Sequence, residues 1–539
     1  MSVRKNSGQN SRVKRRLSGI MLGMVASVLG GCALIGPDFE KPAADLETSW
    51  LEWKDSRLSR KSSEFRDWWK LFKDPVLDQL IQTAYNQNLS LRAAGLRILE
   101  ARAQLGVSVG DLYPQKQYFE GFVEDIGLPS RMIDRFQDGA NINNPFLWSR
   151  IGLGASWEID VWGKLRRAIE SADAELMASI ADYDSILVSL TADAANSYIQ
   201  IRTLEKKLDI ARTNVQAQLG NLKIAEAKFK GGSSSMRDVE QARTVLGGTQ
   251  ATIPVLEGQL RQTKNALCLL LGMAPNELGK PLGSGSRSAQ IPVPPVQVAV
   301  GVPVDLLRRR PDIRKAEWMA ASQSAKIGIT KANLYPAFSI SGSFAFTSST
   351  ASGMNLGDMF QWGSNFYRFG PAVQWNLFNY GQITNSVRAQ DAKFQALLVD
   401  YQNTVLKAQK EVEDGLISFL KMHDSAEYLA QSTAAAQRSL NLATLQYREG
   451  IADFTTVLTA EQSLLQQQDK FAETLGEIAS SLVDVYRSMG GGWQMREGRD
   501  FIPEPIKEAM AKRTDWGDLL KPMASPDELP KSLIRLPEW

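Results

Sequence analysis

The sequence predicts an internally duplicated α+β membrane protein: four strands per chain feed a β-barrel that other copies must complete, and very long helices continue it. Three observations carry this expectation. They are a repeat at fixed offset, two proline-free stretches of coiled-coil length with helical periodicity, and segments that alternate apolar with small polar residues. The 539-residue chain is 43% hydrophobic and 22% charged, which excludes a disordered or collagen-like protein.

Residues 1–31 carry Arg4, Lys5, Arg12, Lys14, Arg15 and Arg16 and no acid, followed by the apolar run Leu17 to Leu29 and then Gly30-Gly31. A basic start, a short apolar run and small residues form a secretory signal, too short and too glycine-interrupted to span a membrane. Cys32 follows, and Leu29-Gly30-Gly31-Cys32 resembles the bacterial lipobox, which implies that Cys32 is acylated and anchors the chain to outer-membrane lipids. Ala33 at the next position is compatible, in that pattern, with outer-membrane retention. The formal charge of +3 belongs to the leader: without its six bases, 56 of the 62 Lys and Arg remain against 59 acids, so the mature chain is slightly acidic and no nucleic-acid partner is indicated. The remaining thiol, Cys268, lies in the apolar run Ala266 to Leu270, and His423 is the only histidine. Neither reads as a catalytic or metal-binding centre, and the common nucleophile, phosphate-loop and dinucleotide motifs are missing, so the sequence indicates no enzyme and no cofactor.

Trp157-Glu158-Ile159-Asp160-Val161-Trp162-Gly163 aligns with Trp375-Asn376-Leu377-Phe378-Asn379-Tyr380-Gly381 at an offset of 218, which goes on to pair Phe229 with Tyr447, Gly232 with Gly450, Val239 with Val457 and Gly272 with Gly490. Upstream, Leu112-Tyr113-Pro114 matches Leu334-Tyr335-Pro336 at an offset of 222, so the first copy is four residues longer between these blocks. The organisation that follows is a leader over 1–31, an N-terminal anchor segment over 32–66, a first repeat over 67–278, a linker over 279–303, a second repeat over 304–492 and a tail over 493–539.

In the first repeat, strands are expected over about 113–125 and 150–162, a long helix over 163–230 and a return helix over 236–271; in the second, strands over about 336–347 and 367–378, a long helix over 381–449 and a return helix over 453–489. The long helix places Ile186, Leu190, Ala194, Tyr198, Ile201, Leu204 and Leu208 at helical spacing, and its length of about 68 residues spans roughly 100 Å. Pro254 is expected to kink or divide the shorter return helix. A short helix, Asn88 to Gly110 in one copy and Pro311 to Asn333 in the other, is needed to fill the remaining length end to end with it.

Phe338, Ile340, Phe344 and Phe346 alternate with Ser339, Ser341, Ser343 and Thr347, and Ile151, Leu153, Ala155, Trp157 and Ile159 alternate with Gly152, Gly154, Ser156 and Glu158. An apolar face about ten residues long opposite small polar residues suits a membrane barrel with a wet interior, although a soluble sandwich shows the same alternation. Four strands cannot close a barrel for which about eight is the minimum, so an inserted ribbon requires an oligomer, and three chains would give twelve strands.

Beyond these patterns, Gly36-Pro37-Asp38-Phe39-Glu40-Lys41-Pro42, Trp68-Trp69-Lys70-Leu71-Phe72, Asp74-Pro75-Val76-Leu77, Trp157 to Gly163, Ile253-Pro254-Val255-Leu256-Glu257 and Leu306 to Arg314, in this order and duplicated, resemble a TolC-type outer-membrane factor of the lipoprotein, NodT-like branch. The resemblance covers nearly all of the mature chain to Trp493. It implies a homotrimer, a twelve-stranded outer-membrane barrel continued by a helical periplasmic tunnel, and docking with a periplasmic membrane-fusion adaptor and an inner-membrane pump to export small toxic compounds. It further implies adaptor-contacting tips at Gly231, Gly232, Gly450 and Asp453, and a periplasmic gate for which Asp238, Glu240 and Asp453 are the candidate acids, since Thr456 and Thr459 stand where related channels carry them. A duct for protein secretion, or a periplasmic coiled-coil scaffold without a pore, are the alternatives.

Overall fold

A computed structural model describes residues 34–43, 47, 49–59, 65–129, 131, 133, 143–282, 290–301 and 309–522. The leader 1–31, Cys32 and the tail beyond 522 lie outside these residues. In chain order the principal elements are α1 (Pro75–Gln87), α2 (Leu89–Gly110), β1 (Lys116–Ile126), β2 (Phe146–Ile159), α3 (Lys164–Lys230), α4 (Met236–Leu270), α5 (Pro311–Ala332), β3 (Ala337–Ser349), β4 (Asn365–Gln374), α6 (Gln382–Arg448), α7 (Phe454–Ser488) and α8 (Glu504–Ala511).

The four main strands form one antiparallel sheet in the order β1-β2-β3-β4. The sheet leads into two 67-residue helices, α3 and α6, each about 100 Å long. Near the sheet the helices pack in the order α2-α3-α5-α6, and toward the far end in the order α4-α3-α7-α6. One edge of the molecule is therefore built from first-copy elements, β1, α2 and α4, and the other from second-copy elements, β4 and α6.

Each return helix abuts the short helix of its own copy. Asn88 donates its amide to the carbonyl of Leu270 at 3.0 Å, and Arg310 donates to the carbonyl of Ser488 at 2.7 Å, so α4 with α2, and α7 with α5, make composite columns alongside α3 and α6. Pro254 does not divide α4, which is assigned as one helix of 35 residues. The missing N–H strands the carbonyl of Gln250, but both residues are exposed, so water can satisfy it.

Two strand limits differ from the sequence expectation for physical reasons. β2 ends at Ile159 because the Asp160 carboxylate turns to accept from the backbone N–H groups of Leu165 (3.1 Å) and Arg166 (2.9 Å), starting α3. β4 ends at Gln374 because its partner β3 begins after Pro336, which has no N–H to extend the ladder.

The main core lies at mid-length, where Trp68 stacks on Tyr486 with ring centroids 5.7 Å apart and meets Trp69 edge-on at 5.8 Å. Asp74 caps α1 through the N–H groups of Val76 and Leu77 and accepts from the Tyr198 hydroxyl at 2.7 Å. Cys268 is fully buried here. The tail wraps this level: Arg496 forms a buried bidentate pair with Asp184, and Phe501 meets Tyr183 edge-on at 5.0 Å. Part of the 279–303 linker also joins the fold, since Val298–Ala299 pairs in parallel with Leu58–Ser59.

Candidate functional site: ribbon, anchor strap and tips

Strand register sorts the sheet into two faces. Paired residues share a side, so Phe119, Val123, Ile151, Leu153, Trp157, Ile159, Phe338, Ile340, Phe344, Phe346, Tyr367, Phe369 and Val373 lie on one face. The opposite face carries Gly152, Gly154, Ser156, Ser339, Ser341 and Ser343. This is the apolar-out, polar-in division of a membrane strand ribbon, and an 11-residue strand tilted by about 45° covers about 25 Å, the height of a hydrocarbon band. Among the described residues no helix is long and apolar enough to cross a membrane.

The polar face is less plain than the serines and glycines suggest. β1 and β4 add Tyr118, Glu120, Phe122, Phe366 and Arg368 to it, and β2 adds Trp148 and Arg150. Arg150 pairs with Glu120 at 2.8 Å and lies over the Phe366 ring at 5.3 Å, so one charged and aromatic band crosses all four strands. At the helix end of the sheet, Trp157 donates to the Leu112 carbonyl (3.1 Å) and its repeat mate Trp375 to the Leu334 carbonyl (3.0 Å), while Trp162 donates to Pro336 (2.8 Å). Tryptophans with one polar bond at the edge of an apolar band are what a membrane interface favours.

The segment after Cys32 docks at this junction. Ile35 donates to the Trp162 carbonyl at 3.1 Å, and buried Arg167 reaches the carbonyl of Ile35 and the carboxylate of Asp38 (2.7 Å) while pairing with Glu170 at 2.6 Å. Lys41 pairs with Glu317 of α5 at 2.6 Å. Gly36, at φ +109°, crosses Gly328 so closely that a Cβ on it would stand 2.5 Å from the Gly328 Cα. Residue 34 thus sits where sheet becomes helix.

At the opposite end both hairpins turn by the same device. Ser233 donates to Lys228 and Gly232 to Phe229; at the offset of 218, Ile451 donates to Gln446 and Gly450 to Tyr447. These Schellman patterns need a left-handed residue, supplied by Gly232 (φ +73°) and Gly450 (φ +76°). Gly231 has an ordinary φ of −80° and does not perform this role.

The candidate gate acids have local partners. Asp453 caps α7, accepting from the N–H and hydroxyl of Thr456, both at 3.2 Å. In the first copy the roles are exchanged: Ser235 sits at the cap and donates its hydroxyl to Asp238 at 3.0 Å. Glu240 is exposed and pairs with Arg243 at 2.9 Å. Thr459, the other position singled out, bonds only back to the Thr455 carbonyl, at 2.9 Å.

Two features of the tips escaped the sequence reading. Lys228 lies over the Tyr447 ring at 4.6 Å and donates to the Tyr447 carbonyl, tying one hairpin to the other. Glu461 is 4% exposed and accepts a hydrogen bond from the Asn221 amide at 2.5 Å, and among the described residues no cation pairs with it. The signal for Glu461 was present, since Phe454, Val457, Leu458, Glu461 and Leu464 form one apolar stripe with a carboxyl inserted. Burial pushes this carboxyl up from its ordinary range, against the Asn221 hydrogen bond, which lowers it. A raised folded-state value means stability is fully present in acid and is lost as pH rises through it. Glu461→Gln is therefore expected to raise the unfolding midpoint at neutral pH and leave it nearly unchanged in acid; equal effects at both would refute the assignment.

A membrane-facing ribbon carried on long paired helices defines a conduit. The outer membrane efflux protein family model matches residues 136–273 and 302–491. The chain is similar to the pyoverdine export outer membrane protein OpmQ of Pseudomonas putida, 31% identical over 79% of this chain and 88% of that one. It is also similar to the probable outer membrane lipoprotein SilC of Salmonella typhimurium, 27% identical over 86% of this chain and 97% of that one. Among solved structures, the outer-membrane channel OprN superposes with a TM-score of 0.78 at 30% identity, covering 86% of this chain and all of that one. The Campylobacter jejuni CmeC channel shares the fold, with a TM-score of 0.78 at 22% identity over 88% of this chain and 100% of that one. The chain belongs to the outer membrane efflux protein family, and its place is the outer membrane with the helices extending into the periplasm.

Proposed function

We propose that three copies join edge to edge, β4 of one to β1 of the next and α6 of one to α2 and α4 of the next. They close a twelve-stranded barrel over a helical tunnel that exports small toxic compounds. The observation that carries this is the pair of open edges: among the described residues β1 and β4 have no outer partner, and the apolar face continues to the very edge, with Tyr367 75% and Phe369 78% exposed. Acylated Cys32 would anchor each copy, two residues before Leu34 at the sheet–helix junction. The tips at Gly231, Gly232, Gly450 and Asp453 would meet a periplasmic adaptor carrying an inner-membrane pump. Asp238, Glu240 and Asp453, repeated threefold, would give that end a negative ring that attracts cations.

The test is reconstitution. Heat-modifiable trimers in outer-membrane fractions and discrete single-channel conductance are expected, and monomeric, non-conducting protein would overturn the reading. Cys32→Ser is expected to abolish labelling by radioactive palmitate, whereas persistent labelling would place the acyl group elsewhere.

A further inference from the structure

The connection between β3 and β4, residues 350–364, is built as three short turns, Thr350–Ser352, Leu356–Phe360 and Trp362–Ser364. It does not arch away from the sheet end. Ser348 lies on the apolar face with Phe344 and Phe346, and its hydroxyl donates to the Asn355 carbonyl at 2.9 Å. Phe344, on the same face, meets the Trp362 ring at 6.4 Å. Ser149 and Ser348, near the outer ends of β2 and β3 on that face, are buried at 0% and 3% exposure, where these turns pack on the two strands. The connection is therefore folded down over the outside of the ribbon. Its base is fixed: Leu147 donates to the Thr350 hydroxyl at 2.9 Å, and Asn143 donates its amide to the Thr350 carbonyl at 3.0 Å.

Its chemistry suits that position. Residues 349–367 contain one charged side chain, Asp358, and no base. Both oxygens of that carboxylate are occupied internally, by the Asn355 N–H and the Gln361 amide, each at 2.8 Å. The outward surface presents Leu356, Phe360 and Trp362, the last two 67% and 76% exposed. By contrast, the matching first-copy connection, 127–145, carries Arg131, Asp134, Arg135 and Asp138 in its sequence.

We infer that residues 350–364 form a flap whose Leu356, Phe360 and Trp362 insert among lipid acyl chains at the outer boundary of the membrane. The flap continues the lipid-facing surface of the ribbon and leaves the mouth uncovered by this connection. From Phe344 to the end of β3 at Ser349 is about 16 Å along the strand, or about 12 Å along the membrane normal at 45° tilt, so Trp362, with its ring 6.4 Å from that of Phe344, lies below the outer end of the ribbon and within the depth of its apolar band. The inference rests on the membrane-ribbon reading above.

The experiment uses full-length protein reconstituted in phosphatidylethanolamine and phosphatidylglycerol vesicles, with a bimane label on Trp362→Cys, on Phe360→Cys, on the mid-ribbon lipid-side reference Phe369→Cys and on the polar-side reference Ser343→Cys. The remaining thiol, Cys268, is fully buried. Blue-shifted emission, quenching by doxyl-labelled lipid and loss of iodide quenching are expected at the two flap positions and Phe369→Cys, with the opposite pattern at Ser343→Cys. Iodide quenching at both flap positions, with lipid quenching kept at Phe369→Cys, would overturn the flap alone. Flap positions shielded from both quenchers would mean that protein covers them, which also overturns it. Loss of lipid quenching at Phe369→Cys as well would overturn the ribbon reading together with the flap.

Discussion

Arg496→Met is expected to destabilise the protein by about 3–5 kcal/mol, the largest loss from any single side chain discussed, because it strands a buried carboxylate. Asp184 is 0% exposed on α3 and is held bidentately by Arg496, with Arg314 of α5 farther away at 3.6 Å. The guanidinium also packs over the tail's own Trp493 at 5.4 Å and Phe501 at 5.0 Å, so its removal loosens the tail where it is clamped to α3. Asp184→Asn in the same background should recover most of the loss, because the cost lies in the unpaired charge and not in the missing attraction. Guanidinium unfolding followed by far-ultraviolet circular dichroism measures both variants. A single-variant shift below about 1 kcal/mol would show that Arg314 alone neutralises the site.

That clamp was invisible in the sequence, and the reason is instructive. Asp184 and Arg496 stand 312 residues apart, and nothing local marks either as buried. The long helices, by contrast, were legible because every turn repeats the same demand for an apolar face, and Gly163, Gly232, Gly381 and Gly450 punctuate them with positive φ. Strand faces were legible in β2 and β3, where small polar residues alternate cleanly with apolar ones. They were blurred in β1 because Tyr118 and Phe122 are aromatic yet lie on the polar face; the Tyr118 ring covers Gly154 so closely that a Cβ there would meet its Cζ at 2.3 Å. Of the tip residues, the glycine turns could be read from spacing alone. The exchange of hydroxyl and carboxylate between Ser235 with Asp238 and Asp453 with Thr456 emerges only when the two copies are compared as structures. The same limit applies to the connection at 350–364, whose apolar residues carry no periodicity to say which way they fold.

Gly328→Ala, and more strongly Gly328→Leu, are expected to expel the strap formed by residues 34–41 from its groove while leaving the proposed acylation of Cys32 unaffected. A Cβ at Gly328 would stand 2.6 Å from the Ile35 carbonyl oxygen and 3.0 Å from Cγ of Arg167. Backbone on one side and a buried guanidinium stem on the other leave nothing to give way except the strap. Gly36 cannot retreat within the groove, because its φ of +109° and its contact with the Gly328 Cα already fix the crossing. Overpacking of this kind costs about 2 kcal/mol, which is roughly a thirtyfold increase in the fraction of time the strap is open. Cleavage after Glu40 by a glutamyl endopeptidase reads that opening directly, because the next residue, Lys41, is otherwise tied to Glu317 and its bond to Pro42 resists trypsin. Arg167→Gln provides an independent route to the same state, since it removes the charge that holds Asp38 at 2.7 Å without adding volume. Palmitate labelling should be unchanged in all three variants, because the leader and Cys32 precede the strap. Cleavage at the parental rate in all of them would mean that the strap is held from elsewhere; faster cleavage with normal labelling would show that the groove, and not the lipid, positions the chain where sheet gives way to helix.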